Sequence, residues 1–159
     1  MQDALNPLMI IEAVADYNDW ECNWLSDTEV AIVIPSLSIS YEVHFIWEKE
    51  GGHLHLICFS NLEAEKNSSV DFLRLLMLAN QKLWIGSFSV LENNIIAYRH
   101  VLHIKGVGAN DFEALVDEAI SIAIEESDSF FPGFEKVLQH GNLSSDDLDL
   151  LSLGVEGSA

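Results

Sequence analysis

The sequence predicts an α+β fold in which helices pack on one antiparallel sheet, and three observations carry that expectation. In residues 39–48, Ile39, Tyr41, Val43, Phe45 and Trp47 alternate with Ser40, Glu42, His44, Ile46 and Glu48, the period of a strand with one solvated face. Phe112, Val116, Ala119, Ile120, Ala123 and Phe130 recur instead at helical spacing. Gly51-Gly52 and Asn93-Asn94 fall between apolar runs, where hairpins turn. The expected order is helix, four strands, helix, two strands, helix. A chain of 159 residues suits one domain, burying roughly two thirds of the surface its unfolded chain exposes.

Asn6 followed by Pro7 starts the first helix, because Asn caps free amides and proline at the first helical position gives up no hydrogen bond. Leu8, Ile11, Val14 and Ala15 keep helical spacing to about Asn18. Trp20, Cys22 and Trp24 alternate with polar residues, as do Val30, Ile32 and Ile34 after the Ser26-Asp27 turn. These are two strands, the second ended by Pro35. The alternating run at 39–48 is the third. Beyond Gly51-Gly52, residues 53–59 return as its partner with Leu54 and Leu56 inward, and 61–67 read as a polar loop.

Ser68 opens the second helix, with Asp71 three residues on in a capping box, and Phe72, Leu76, Ala79 and Leu83 line its buried face. It closes through Lys82-Leu83-Trp84-Ile85-Gly86, with Gly86 in the left-handed conformation that ends it. Residues 87–92 and 95–104 form a second hairpin around a two-residue Asn93-Asn94 turn, and Gly106 and Gly108 punctuate the chain. Asn110 with Glu113 makes another capping box. That helix is expected to stop at Phe131-Pro132-Gly133, since proline removes a helix donor and clashes with the preceding turn. Phe134, Val137 and Leu138 add a turn or two beyond the break. The domain is expected to span 1–141, and 142–159 to be an acidic tail, partly helical or disordered.

Seven basic side chains face 26 acidic ones, for a formal charge of -19. Such a field repels phosphate backbones and anionic membranes, which argues against nucleic-acid binding and membrane attachment. From Ala109 onward 12 acidic residues face a single cation, Lys136, so a basic partner would meet this end first. The first residues lack the positive region of a secretory signal, and no apolar run reaches membrane-spanning length. Cys22 and Cys58 stand apart, without metal or redox spacing, and read as small buried hydrophobes of a reducing compartment. The expected location is the cytoplasm.

Several segments carry a family pattern. Asn6-Pro7 opens the first helix, Asp19-Trp20 the first strand, and Ser40-Tyr41 through Trp47 the third; residues 75–86, Tyr98-Arg99-His100 and Phe130-Phe131-Pro132-Gly133-Phe134 follow. In this order they resemble the YbjN family of small bacterial proteins over residues 6–141. The family pattern usually has a small turn around an acidic residue and Gly in the second hairpin, where this chain has Asn93-Asn94, and the tail beyond Gly141 matches loosely. The resemblance implies a fold like that of type III secretion chaperones, a role in sensory transduction or stress regulation, no established catalytic residues, and a binding protein that dimerises.

Residues that could carry chemistry are few. The hairpin at Gly51-Gly52 puts His44, His53 and His55 on one face with Glu48, a set that could ligate zinc or make the surface sensitive to mild acidification. The spacing matches no defined metal motif, and a solvated polar face is the plainer reading. Arg99, in Tyr98-Arg99-His100, and Arg74 are the two arginines, and in so acidic a chain each is expected to find an internal carboxylate before an anionic ligand. Ser87 and Ser89 near His100 lack an orienting acid and an oxyanion site. Gly106-Val107-Gly108 lacks the third glycine and the Lys-Ser or Lys-Thr pair of a phosphate loop.

Of the four tryptophans, Trp20, Trp24, Trp47 and Trp84, most are expected in the core. Trp84 is the one singled out for a subunit or client interface. The combined expectation is a non-enzymatic, cofactor-free regulator that binds a basic or apolar protein partner and forms a homodimer. Its candidate interaction surface is Trp84, Ile85 and Arg99. The alternative is a metal-binding sensor or metal-dependent enzyme built on the His44, His53 and His55 face.

Overall fold

The computed structural model describes residues 6–37, 39–64 and 69–140. The expected element order holds: α1 (Pro7–Tyr17), β1 (Glu21–Ser26), β2 (Glu29–Pro35), β3 (Ser40–Glu48), β4 (His53–Glu63), α2 (Val70–Lys82), β5 (Ser87–Val90), β6 (Ile95–His103) and α3 (Ala109–His140). The six strands form one open antiparallel sheet in the order β1-β2-β3-β4-β6-β5, so β1 and β5 are its edges. The expected tail at 142–159 and the cap at Ser68 lie outside the described residues. The chain divides into two compact units, Met1–Cys58 with Arg99–Ile124 and Phe59–Tyr98 with Glu125–Ala159.

In the first unit the Asn6 side chain accepts from the Leu8 amide at 3.0 Å with Pro7 behind it, as the sequence predicts. Leu8, Ile11, Val14 and Ala15 are buried against the inner residues Val30, Ile32 and Ile34 of β2 and Tyr41, Val43 and Phe45 of β3. β1 is a mostly exposed edge with a bulge between Trp24 and Ser26. Cys58 is fully buried, whereas Cys22 on β1 is half-exposed, contrary to the expected burial of both.

Glu48 pairs with His53 across the first hairpin, so the turn spans four residues rather than the two glycines alone. Only Gly52 takes a positive φ, +70°. A Cβ there would come within 2.8 Å of the Lys105 Cβ, and the Ile104 amide donates to the Gly52 carbonyl at 2.9 Å. Glycine is thus required by both backbone sign and close approach.

In the second unit β4 continues to Glu63, past the expected end at Phe59, because its last residues still find partners. The Ser60 hydroxyl donates to the Ile96 carbonyl at 2.6 Å, and the Ala64 amide donates to Asn94 at 2.7 Å. The β5–β6 loop holds three residues, not two. Leu91 and Ile95 close it, the Asn94 amide bonds back to Leu91, and Asn94 sits at φ +66°, a type I turn followed by a left-handed residue. Phe88 forms the centre of an aromatic core with Tyr98, Phe130, Phe131 and Phe134 at centroid distances of 5.3–5.7 Å.

α3 departs most from expectation. It runs unbroken from Ala109 to His140 with Pro132 inside it. Phe130, Phe131, Phe134 and Val137 are all buried on either side of the proline, whose own ring is exposed. Each such burial is worth about 1.5–3 kcal/mol, so two of them offset the roughly 3 kcal/mol that an internal proline costs. The helix also begins two residues early: the Phe112 amide bonds the Gly108 carbonyl at 2.9 Å, which leaves Asn110 inside the first turn instead of capping it.

Candidate functional site

α2 has two apolar faces. Phe72, Leu75 and Ala79 are buried, so the inner face includes Leu75 where the sequence pointed to Leu76, which is half-buried along with Leu83. Ser69, one residue after the expected cap, accepts from the Phe72 amide at 3.2 Å and sets the helix start. On the outer face Val70 (71 % exposed), Leu73 and Met77 (67 % exposed) fall at positions 0, 3 and 7, a single helical stripe facing water.

The helix ends at Lys82, and Leu83 is already extended at ψ 132°. Gly86 does take a left-handed φ of +78°, yet it lies beyond the helix and steers the chain into β5 instead of capping α2. Between them stands Trp84, 99 % exposed, with the exposed Ile85 beside it. The loop carrying them is tied down. Tyr98 donates its hydroxyl proton to the Ile85 carbonyl at 2.8 Å. Asn80 accepts from the Phe88 amide at 2.7 Å and donates to the Phe88 carbonyl at 3.1 Å. An indole is thereby held in water by a braced loop.

The Asn80 bonds also bear on recognition at the sheet edge. β5 is an edge strand, and a side-chain amide occupies both backbone groups of its central phenylalanine. That blunts strand addition there, while the α2 stripe and Trp84 leave apolar side chains exposed in the same unit.

None of the four tryptophans is fully buried, which corrects the expected core placement. Trp84 is fully exposed and Trp24 is 40 % exposed, with its indole N–H on the Glu12 carboxylate; Trp20 and Trp47 are half-buried. Trp47 also carries Lys49 over its ring at 5.0 Å. Arg99 is exposed on β6, in the first unit, whereas Trp84 and Ile85 belong to the second. No carboxylate among the described residues lies within ion-pair distance of Arg99 or Arg74, so the expected internal pairing is not formed there.

The histidine face has the expected register, with His44 opposite Ile57, Ile46 opposite His55 and Glu48 opposite His53. It does not assemble a ligand set. His44 meets Glu29 and Glu42, each at 2.8 Å, while His53 lies 3.4 Å from Glu48 and edge-on to His103 at 4.8 Å. Among the described residues no three His, Cys, Asp or Glu side chains are grouped to hold a metal ion.

Among the described residues three groups titrate away from their ordinary values. Burial, then the neighbouring His103, pushes the His100 pKa down; burial, then Glu125, pushes Glu126 up. Burial pushes the Cys22 thiol up, and the carboxylates of Glu12 and Asp16 add to it.

A family model described as "Putative bacterial sensory transduction regulator" matches residues 7–136, most of the chain. The chain belongs to the YbjN family. No curated protein and no solved structure matches it. The YbjN match takes in α1, the whole sheet, α2 with its stripe, Trp84 and nearly all of α3. Trp84 and Ile85, singled out in the sequence, are exposed, and the exposed stripe on α2 was not among the residues singled out. The 0, 3, 7 spacing of Val70, Leu73 and Met77 was legible, while Asn80, a lone polar residue in a helix, gave no local signal of its bonds to β5.

Proposed function

We propose that this YbjN protein is a regulator that works by protein contact, without catalysis, and that Trp84 with the outer stripe of α2 is its contact surface. The observation that carries the reading is the fully exposed Trp84, braced on both sides by Tyr98 and Asn80. An indole anchored in water is pre-ordered for a partner's pocket, and tryptophan leads the residues that dominate binding energy. The partner is an apolar, basic protein segment, steered by the net charge of -19. The chain shields that surface in a chaperone-like way, and without a partner a second copy occupies the stripe as a homodimer. Among the described residues no helix is long and apolar enough to cross a membrane, and we place the action in the cytoplasm.

Light scattering, with pull-downs from cell extract at low and high salt, tests the reading. Wild type is expected to be a dimer or to recover a partner in a salt-dependent manner. Trp84→Ala and Met77→Glu, both at exposed positions, should weaken that association by about 2 kcal/mol or more, roughly thirtyfold in Kd. A monodisperse monomer that recovers no partner, or association unchanged in both variants, would overturn it.

A further inference from the structure

The first unit contains a cleft of about 390 Å³ where the end of α1 meets the first half of α3. That volume falls in the range of small-ligand sites, roughly 300–1,000 Å³. Val14 and Ile120, both nearly fully buried, supply an apolar floor. Tyr17, exposed at the rim, and the half-buried Trp20 add two aromatic rings to the lining, and Glu113 and Asp117, one turn apart on α3, add two carboxylates. The Trp20 indole is brought there by Asp19, at φ +58°, and by the bond from the Trp20 amide to the Ala15 carbonyl at 2.9 Å.

The walls select one chemistry. Carboxylates at i and i+4 repel each other, and among the described residues no basic side chain pairs with Glu113 or Asp117. The last turn of α1 contains no basic residue to complement the negative end of its dipole. The field continues along α1, where Glu12 and Asp16 act on Cys22. A hard metal ion would gain nothing from two aromatic rings, whereas an organic cation is drawn both to their faces and to the carboxylates.

We infer that this cleft binds a guanidinium or alkylammonium group, seated against the Tyr17 and Trp20 rings and neutralised by Glu113 and Asp117. The cation comes either from a free small amine or from an arginine or lysine side chain of a polypeptide. The site uses no residue of the α2 stripe, so each can fail without the other.

Calorimetric titration of the full chain with agmatine, spermidine and a blocked Gly-Arg-Gly peptide tests it, with the Trp20 indole N–H followed by NMR and matched ionic strength in potassium chloride as control. Saturable binding of at least one probe that moves the Trp20 signal is expected, weakened about tenfold or more by Glu113→Gln with Asp117→Asn. Both replacements are at exposed positions, which keeps the test independent of folding, and Trp20→Leu adds a second reading where it folds. Binding of the peptide alone assigns the site to a protein side chain, and binding of agmatine or spermidine assigns it to a free amine; either supports the site. No saturable binding by any probe, a Trp20 response equal to that of potassium chloride, or unchanged affinity in the double variant overturns it.

Discussion

Asn80 does for Phe88 what a neighbouring strand would otherwise do, since one amide fills a backbone donor and a backbone acceptor that the sheet edge leaves open. The energetic value of such a residue lies in what its loss would expose. Glu126 is the reverse case, a carboxylate whose ionised form the fold disfavours. Its pKa is raised in the folded chain by burial and then by Glu125. Stability gained from the protonated form is therefore full below the ordinary carboxylate range and lost as pH rises through the elevated value. Glu126→Gln should raise stability at pH 7, seen as a higher melting temperature, by less than about 1 kcal/mol because solvent still screens the side chain. The gain should vanish in melts near pH 4, and an equal gain at both pH values would remove the ionisation account.

The two helices that flank the second hairpin show how context reshapes an element. In α2 an inner face satisfies the core while a second stripe, Val70, Leu73 and Met77, stays in water; periodicity reveals both stripes and does not say which is covered. In α3 local chemistry forbids what packing enforces. Pro132 brings no N–H to the helix ladder, and the aromatic residues around it keep the helix continuous. Pro132→Ala restores the donor without disturbing the buried side chains, because position 132 is exposed. Urea unfolding should show a gain of about 1–3 kcal/mol. A loss of stability would mean that the proline selects a helix geometry the core depends on.

At the scale of the molecule, a charge of -19 on 159 residues makes self-repulsion a general cost of the folded state. Raising ionic strength from about 0.01 M to 0.15 M shortens the Debye length from about 30 Å to 8 Å. The melting temperature should then rise by roughly 2–4 °C, the shift that about 1 kcal/mol gives at this chain length; a fall would show that specific ion pairs outweigh the repulsion. The sequence by itself determined the element order, the α1 cap at Asn6-Pro7, the inward residues of β2 and β3, the shared histidine face and the family, because each rests on period, turn chemistry or ordered motifs within a few residues. Only the tertiary structure decided that β4 runs on to Glu63, that α3 passes through Pro132, that Trp84 lies fully in water, and that Tyr17, Trp20, Glu113 and Asp117 line one cleft. Those outcomes depend on partners from about 8 to 100 residues away in sequence, or on burial energies larger than the local preference they override.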